Sequence, residues 1–200
     1  MSTIPLYPLF LKLGGRKVLV VGGGPVAAGK VRALLDAGAV VTVVAPEIDP
    51  ELEKVAEEGK ISLARRSFEA ADLGGCWLVV AAGPSRVNRS VAVAAESLRL
   101  FVLAVDDTSA ASAYGAGTLR RGGVTVAVST NGRAPALAGL LREGLEAVLP
   151  DDLEDWTAEA ERQRAHWHAS GVPMAERRPQ LLEAINRLYE ERRLGAKVRP

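Results

Sequence analysis

The chain has 200 residues, 48% of them hydrophobic and 24% charged, with a formal net charge of +1. That length and balance suit one domain with an appendage, or two small ones, and are enough to bury a core. Near-neutral charge argues against general attraction to nucleic acid or membrane surfaces. The only cysteine, Cys76, rules out an internal disulfide and fits a reducing, cytoplasmic compartment. No cationic start leads into a signal-like apolar core, and no apolar run approaches the roughly eighteen residues that span a bilayer.

In chain order, Leu6-Tyr-Pro-Leu-Phe-Leu11 reads as an apolar lead-in expected to pack beside the first strand. Val18 to Val21 is that strand, and it runs straight into Gly22, Gly23 and Gly24. A helical pattern opens at Pro25 and Val26, stops at Gly38, and gives way to a second strand from Val40 to Ala45. Pro50 to Glu58 follows as a short helix, Ile61 to Arg65 as a third strand, and Trp77 to Ala82 as a fourth, closed by Gly83-Pro84. Helical periodicity from Val87 to Leu98 leads to a fifth strand, Phe101 to Val105. Short apolar strands alternating with helices predict an α/β fold with a doubly wound parallel sheet of the Rossmann type.

The pattern changes after residue 112. Val124 to Ser129 is a strand entered through a predicted turn at Arg120-Arg-Gly-Gly123. Ala136 to Leu149 is an amphipathic helix with Leu137, Leu140, Leu141, Leu145 and Val148 on one side. Pro150-Asp-Asp152 opens a region of Glu- and Arg-rich helices from Leu153 to Arg193, interrupted near Ser170-Gly-Val-Pro173. Acidic residues crowd its start and basic residues its end, matching helix dipoles. The expected organisation is a dinucleotide-binding domain over 1–112, a small α+β segment over 113–150 and a helical region over 151–200.

The glycine turn carries the clearest chemistry. Strand, glycine turn, helix and strand within about thirty residues make the βαβ unit that binds a dinucleotide. Glycine at 22 permits the tight turn, and the missing Cβ at Gly24 lets a pyrophosphate approach. The anion then meets the N–H groups and positive dipole end of the helix begun by Pro25 and Val26. The spacing is Gly22-x-Gly24-x-x-Ala27, with alanine for the third glycine. Gly24 to Lys30 also matches GxxxxGK, but Val31 stands where a P-loop needs Ser or Thr for magnesium. A nucleoside triphosphatase is therefore rejected. Past the second strand, Pro46 and Glu47 border the adenosine side, with Glu47 a late candidate for the ribose acid. The absence of an arginine there leans towards NAD over NADP.

Ligands of open parallel sheets lie beyond the carboxyl ends of the strands, so Gly22, Gly23, Gly24, Pro46, Gly83, Pro84 and Asp106 are expected on one crevice. Asp106 and Asp107 follow the fifth strand directly. Asp106 there is either a base for proton abstraction or a turn-capping residue. Ser129-Thr-Asn-Gly-Arg-Ala-Pro135 forms a second anion-ready helix start. With Arg133 and the Arg120-Arg121 pair it either holds substrate carboxylates or is an ordinary capped helix with solvated arginines. His166 and His168 are two apart and cannot form a helical metal pair, so no metal site is expected. Cys76 reads as a small buried residue, and Trp77, Trp156 and Trp167 as packing residues.

These residues together resemble the precorrin-2 dehydrogenase/sirohydrochlorin ferrochelatase family, which also forms the N-terminal part of sirohaem synthases. The likeness rests on Leu6-Tyr-Pro-Leu-Phe, Val20-Val-Gly-Gly-Gly-Pro-Val-Ala27, Val44-Ala-Pro46 and Cys76-Trp-Leu-Val-Val-Ala-Ala82. It continues through Val87-Asn88, Val105-Asp106, Ala110-Ala-Ser112, Val126-Ala-Val-Ser-Thr-Asn-Gly-Arg-Ala-Pro135 and Leu140-Leu-Arg-Glu143. The resemblance implies NAD-dependent oxidation of precorrin-2 to sirohydrochlorin, with insertion of ferrous iron at the same site in many members. It implies a homodimer interlocked through residues 113–150, with Asp106 as the key aspartate and Gly83 flanking the nicotinamide. It also gives Arg120, Arg121, Arg133 and Ser129 a purpose against a tetrapyrrole with eight carboxylates. Gly83-Pro84 replaces the family's Thr-Asp or Thr-Asn. Asp107-Thr108 and Ala113-Tyr114 stand where the family usually has a proline and an aromatic residue. The chain ends at Pro200, where no methyltransferase module is expected. The rival readings are another NAD-dependent oxidoreductase of a small carbonyl or imino substrate, and a non-enzymatic dinucleotide- or tetrapyrrole-sensing module.

Overall fold

The computed structural model describes residues 5–196, with side chains described through Glu190. Five strands carry the first part of the chain: β1 (Lys17–Val21), β2 (Val40–Val44), β3 (Ile61–Ala64), β4 (Leu78–Ala81) and β5 (Phe101–Ala104). They are all parallel, in the order β3-β2-β1-β4-β5. Strands covered on both faces have no polar alternation to display. Val18 and Val20 therefore face one core with α1 (Pro25–Asp36) and α2 (Pro50–Glu57). Leu19 and Val21 face another with a 3₁₀ turn at Ala70–Leu73 and with α3 (Ser85–Ser97). This is the predicted Rossmann-type sheet, each strand within two residues of its expected ends.

By its contacts the chain divides into two compact units: one runs to Gly115 and takes in Asn131–Arg133, the other holds Ala116–Thr130 and everything from Ala134 onward. In the second, β6 (Gly117–Arg121) and β7 (Val124–Val128) form an antiparallel hairpin. The predicted turn at 120–123 is thereby corrected. Arg120 and Arg121 are the end of a strand, and the turn is Gly122-Gly123 alone, with φ of 52° and 78°. A two-residue loop with positive φ at both positions matches the strand twist, which glycine allows without steric cost. β6 escaped notice because Leu119 is its only large apolar residue.

Helix α4 (Pro135–Val148) packs on this hairpin through Ala138, which is buried, while its stripe of Leu137, Leu140, Leu141, Leu145 and Val148 is exposed. The C-terminal helices α5 (Leu153–Ser170) and α6 (Met174–Ala196) meet through an edge-to-face contact of Trp156 and Tyr189, with ring centroids 5.8 Å apart. Trp167 is buried, and its indole N–H donates to Gln180 at 2.7 Å. Two other expectations fail. Leu6, Tyr7, Leu9, Phe10 and Leu11 of the lead-in are exposed rather than packed on β1. Trp77 is 59% exposed because it sits at the amino end of β4, where the Arg16 guanidinium covers its ring at 3.6 Å. No described helix is long and apolar enough to cross a membrane.

Candidate functional site

At the carboxyl ends of β1, β2 and β4 lies a cleft of about 410 Å³, lined by Gly22, Gly23, Gly24, Ala45, Pro46, Glu47, Ala82, Gly83 and Pro84. The three glycines have different reasons to be glycine. Gly22 has φ of +124°, and a Cβ there would come within 2.5 Å of the Ala82 carbonyl oxygen. A Cβ at Gly23 would overlap the Glu47 carbonyl oxygen, and Gly23 in turn accepts the Asp49 N–H at 2.7 Å. These two hold β1 against its neighbours. Gly24 instead faces open space, with nothing within 4 Å of where its Cβ would be.

Gly24 is also the N-cap of α1, with no side-chain cap on the helix and no acidic residue in its first turn. Pro25 occupies the first helical position, where its missing N–H costs nothing. The positive end of α1 thus carries no protein anion, and bare backbone faces it. That arrangement fits a pyrophosphate. Val26, the next helical residue, is half exposed. Glu47 lines the cleft with an exposed side chain, three residues past the end of β2.

The two aspartates after β5 differ sharply. Asp106 is exposed and held at φ of 53°. That left-handed conformation costs an L-residue about 1 kcal/mol and collects at functional sites. Asp107 is buried: it accepts from the Ser109 hydroxyl at 2.6 Å and from the Ala110 N–H at 3.3 Å. The Ser109 hydroxyl foremost, with Ser85 and backbone N–H groups, holds its carboxyl below the ordinary carboxylate range. Of the two carboxylates, only Asp106 is therefore presented to solvent.

A carboxylate with a lowered folded pKa contributes stability above its unfolded pKa and loses it as pH falls through the folded one. Asp107→Asn is accordingly expected to lower the melting temperature at neutral pH. The difference from wild type should narrow as pH falls from the ordinary value of 3.8 through the lowered folded one. Paired thermal melts across that range check it.

Of the remaining candidates, Arg120, Ser129 and Arg133 are exposed. Arg121 is otherwise employed: its guanidinium donates to the Leu149 carbonyl at 2.7 Å and to Asp151 at 3.2 Å, closing the end of α4. Arg133 belongs to the first unit, where neighbouring Gly132 (φ +73°) lies so close to Tyr114 that a Cβ would come within 2.7 Å of the ring. Cys76 is buried, and burial pushes its thiol up, as befits a packing residue. Among the described residues no cluster of His, Cys, Asp or Glu could hold a metal.

Sequence reasoning overlooked Asn88 as a site residue. Its side chain is 1% exposed and hydrogen-bonds to Gly83 of the cleft and to Val105, just before Asp106. The sequence carried it only within the Val87-Asn88 pair of the family resemblance, with no role, because both its partners are tertiary contacts.

A parallel sheet, a glycine turn at its switch point and an unguarded helix start define a Rossmann-type dinucleotide-binding protein. The NAD(P)-binding family model matches residues 9–115, and that of the sirohaem biosynthesis protein central region matches 121–147. Siroheme synthase 3 of Aeromonas hydrophila is 46% identical over 172 residues, covering 86% of this chain but 37% of its own length. Siroheme synthase 1 of Aeromonas salmonicida is 46% identical over 189 residues, 94% of this chain and 40% of its own length. The chain thus spans well under half the length of these relatives. Among solved structures, SirC, a precorrin-2 dehydrogenase, matches with a TM-score of 0.68 at 26% identity, covering 90% of this chain and 89% of that one. The chain belongs to the putative NAD(P)-binding family, and it is similar in sequence to sirohaem synthases and in fold to a precorrin-2 dehydrogenase.

Proposed function

We propose that this chain is an NAD-dependent precorrin-2 dehydrogenase, oxidising precorrin-2 by two electrons to sirohydrochlorin on the route to sirohaem. The observation that carries the reading is the near full-length likeness in fold to SirC. Gly22, Gly23, Gly24, Pro25 and Val26 would seat the pyrophosphate, Pro46 and Glu47 would border the adenosine, and Gly83 would flank the nicotinamide. NAD, when bound, accepts the hydride. Asp106 takes the proton that leaves the macrocycle as the new double bond forms, and its exposure at a strand end supports that role.

Arg120 and Arg133, with Ser129, are the groups offered to the substrate carboxylates. Arg121 contributes through the scaffold, since its guanidinium is already bonded. If the same chain inserts ferrous iron as a second substrate, Asp106 is the group that strips pyrrole protons. The homodimer belongs to this reading as well. It is supported by the exposed leucine stripe of α4, an apolar surface of the kind that marks an interface. A cytoplasmic location agrees with the single, buried cysteine.

The test is a substrate screen with NAD under anaerobic conditions. Precorrin-2 is expected to be turned over while 2-hydroxy acids and imino acids are not. Turnover of a small acid instead would favour a different oxidoreductase, and tight binding of sirohydrochlorin without turnover would favour a sensor.

A further inference from the structure

We propose that Asn88 is a positioning residue that ends the β4–β5 ladder and aims both sides of the site: Gly83 of the cleft and Asp106. The inference rests on the reading of Asp106 as the base. It begins with register. Ala81 pairs with Ala104, and the Val105 N–H donates to the Ala81 carbonyl at 2.9 Å. The next rung of a parallel ladder would join the Gly83 N–H to the Val105 carbonyl. In its place stands the Asn88 side chain. Its Oδ1 accepts the Gly83 N–H at 3.0 Å, and its Nδ2 donates to the Val105 carbonyl at 3.4 Å.

One side-chain amide thus replaces one backbone hydrogen bond with two, and the strand ends are separated by its width. The orientation of the amide is fixed without ambiguity, because a backbone N–H needs an acceptor and a carbonyl needs a donor. Asn88 itself is anchored in the first turn of α3, where its N–H donates to the Pro84 carbonyl at 3.0 Å. Asn88 is buried while Gly83 and Val105 are half-buried, so the amide holds both partners from the interior side. Gly83 lines the cleft, and Val105 is bonded to Asp106. Asn88 therefore holds the cofactor rim through its oxygen and the base through its nitrogen, two bonds that can be broken separately.

Asn88→Asp isolates one half of the bridge. The carboxylate still accepts from Gly83, but it turns a lone pair towards the Val105 carbonyl. Protonation restores a donor there. The variant is expected to bind NAD as the wild type does and to oxidise precorrin-2 about a hundredfold more slowly at pH 8. Part of that loss should return as pH falls towards 6, a direction in which a carboxylate base alone gains nothing. An unchanged rate, or a fall in NAD affinity matching the fall in rate, would overturn the proposal. So would a slow variant indifferent to pH.

Hydrogen exchange on the wild-type protein gives an answer even if the variant does not fold. The Gly83 amide lies outside the strand ladder and should nonetheless be strongly protected. Exchange as fast as in an exposed loop would contradict the bridge. Absence of precorrin-2 oxidation by the wild type would count against the functional reading and leave the exchange result to judge Asn88.

Discussion

Asp106→Asn is expected to abolish NADH formation from precorrin-2, by about a hundred- to ten-thousand-fold, while NAD affinity and thermal stability stay near wild type. Asparagine keeps the size of the side chain and tolerates the left-handed backbone observed at this position, φ of 53°. It cannot accept a proton at neutral pH. Neighbouring Asp107 cannot substitute, because it is buried and already bonded to Ser109 and Ala110. Steady-state rates and cofactor titration on the same preparation separate the two effects. Full activity in the variant would remove Asp106 from the chemistry. A parallel loss of NAD binding would recast it as part of the cofactor rim.

The second large effect should split the glycine turn in two. Gly22→Ala forces an L-residue to φ of +124° and drives its Cβ to within 2.5 Å of the Ala82 oxygen. It is expected to cost on the order of 3 kcal/mol of stability, read as a much lower denaturation midpoint. Gly24→Ala meets nothing within 4 Å and sits at φ of −85°, which alanine adopts freely. That variant should melt like the wild type and yet bind NAD about ten- to a hundredfold more weakly, because the methyl group occupies the approach of the pyrophosphate. Denaturation curves and NAD titrations of both variants check the pair. Equal behaviour would mean that the turn is structural only.

The sheet was legible in the sequence because its strands are buried on both faces and appear as unbroken apolar runs such as Val18 to Val21. The glycine turn was legible because three glycines between a strand and a helix signal close backbone packing, as at Gly22 and Gly23, or room for a ligand, as at Gly24. β6 was hidden because a strand in a small two-stranded sheet needs few apolar residues, and GTLRR has one large one, Leu119. The lead-in misled because apolar composition marks a surface that wants covering without saying what covers it. The two aspartates after β5 are indistinguishable as letters, yet one is exposed and one buried. Asn88 was legible only as half of the Val87-Asn88 pair, without a role. Its meaning lies in a carbonyl seventeen positions away along the chain.

The most direct measurement is an anaerobic time course with purified chain, precorrin-2 and NAD, followed by absorbance of both NADH and the tetrapyrrole. The account predicts that NADH and sirohydrochlorin appear together in equal amounts, and that omitting NAD stops both. Persistence of precorrin-2 with no NADH formed, by a folded protein that binds NAD, would contradict it.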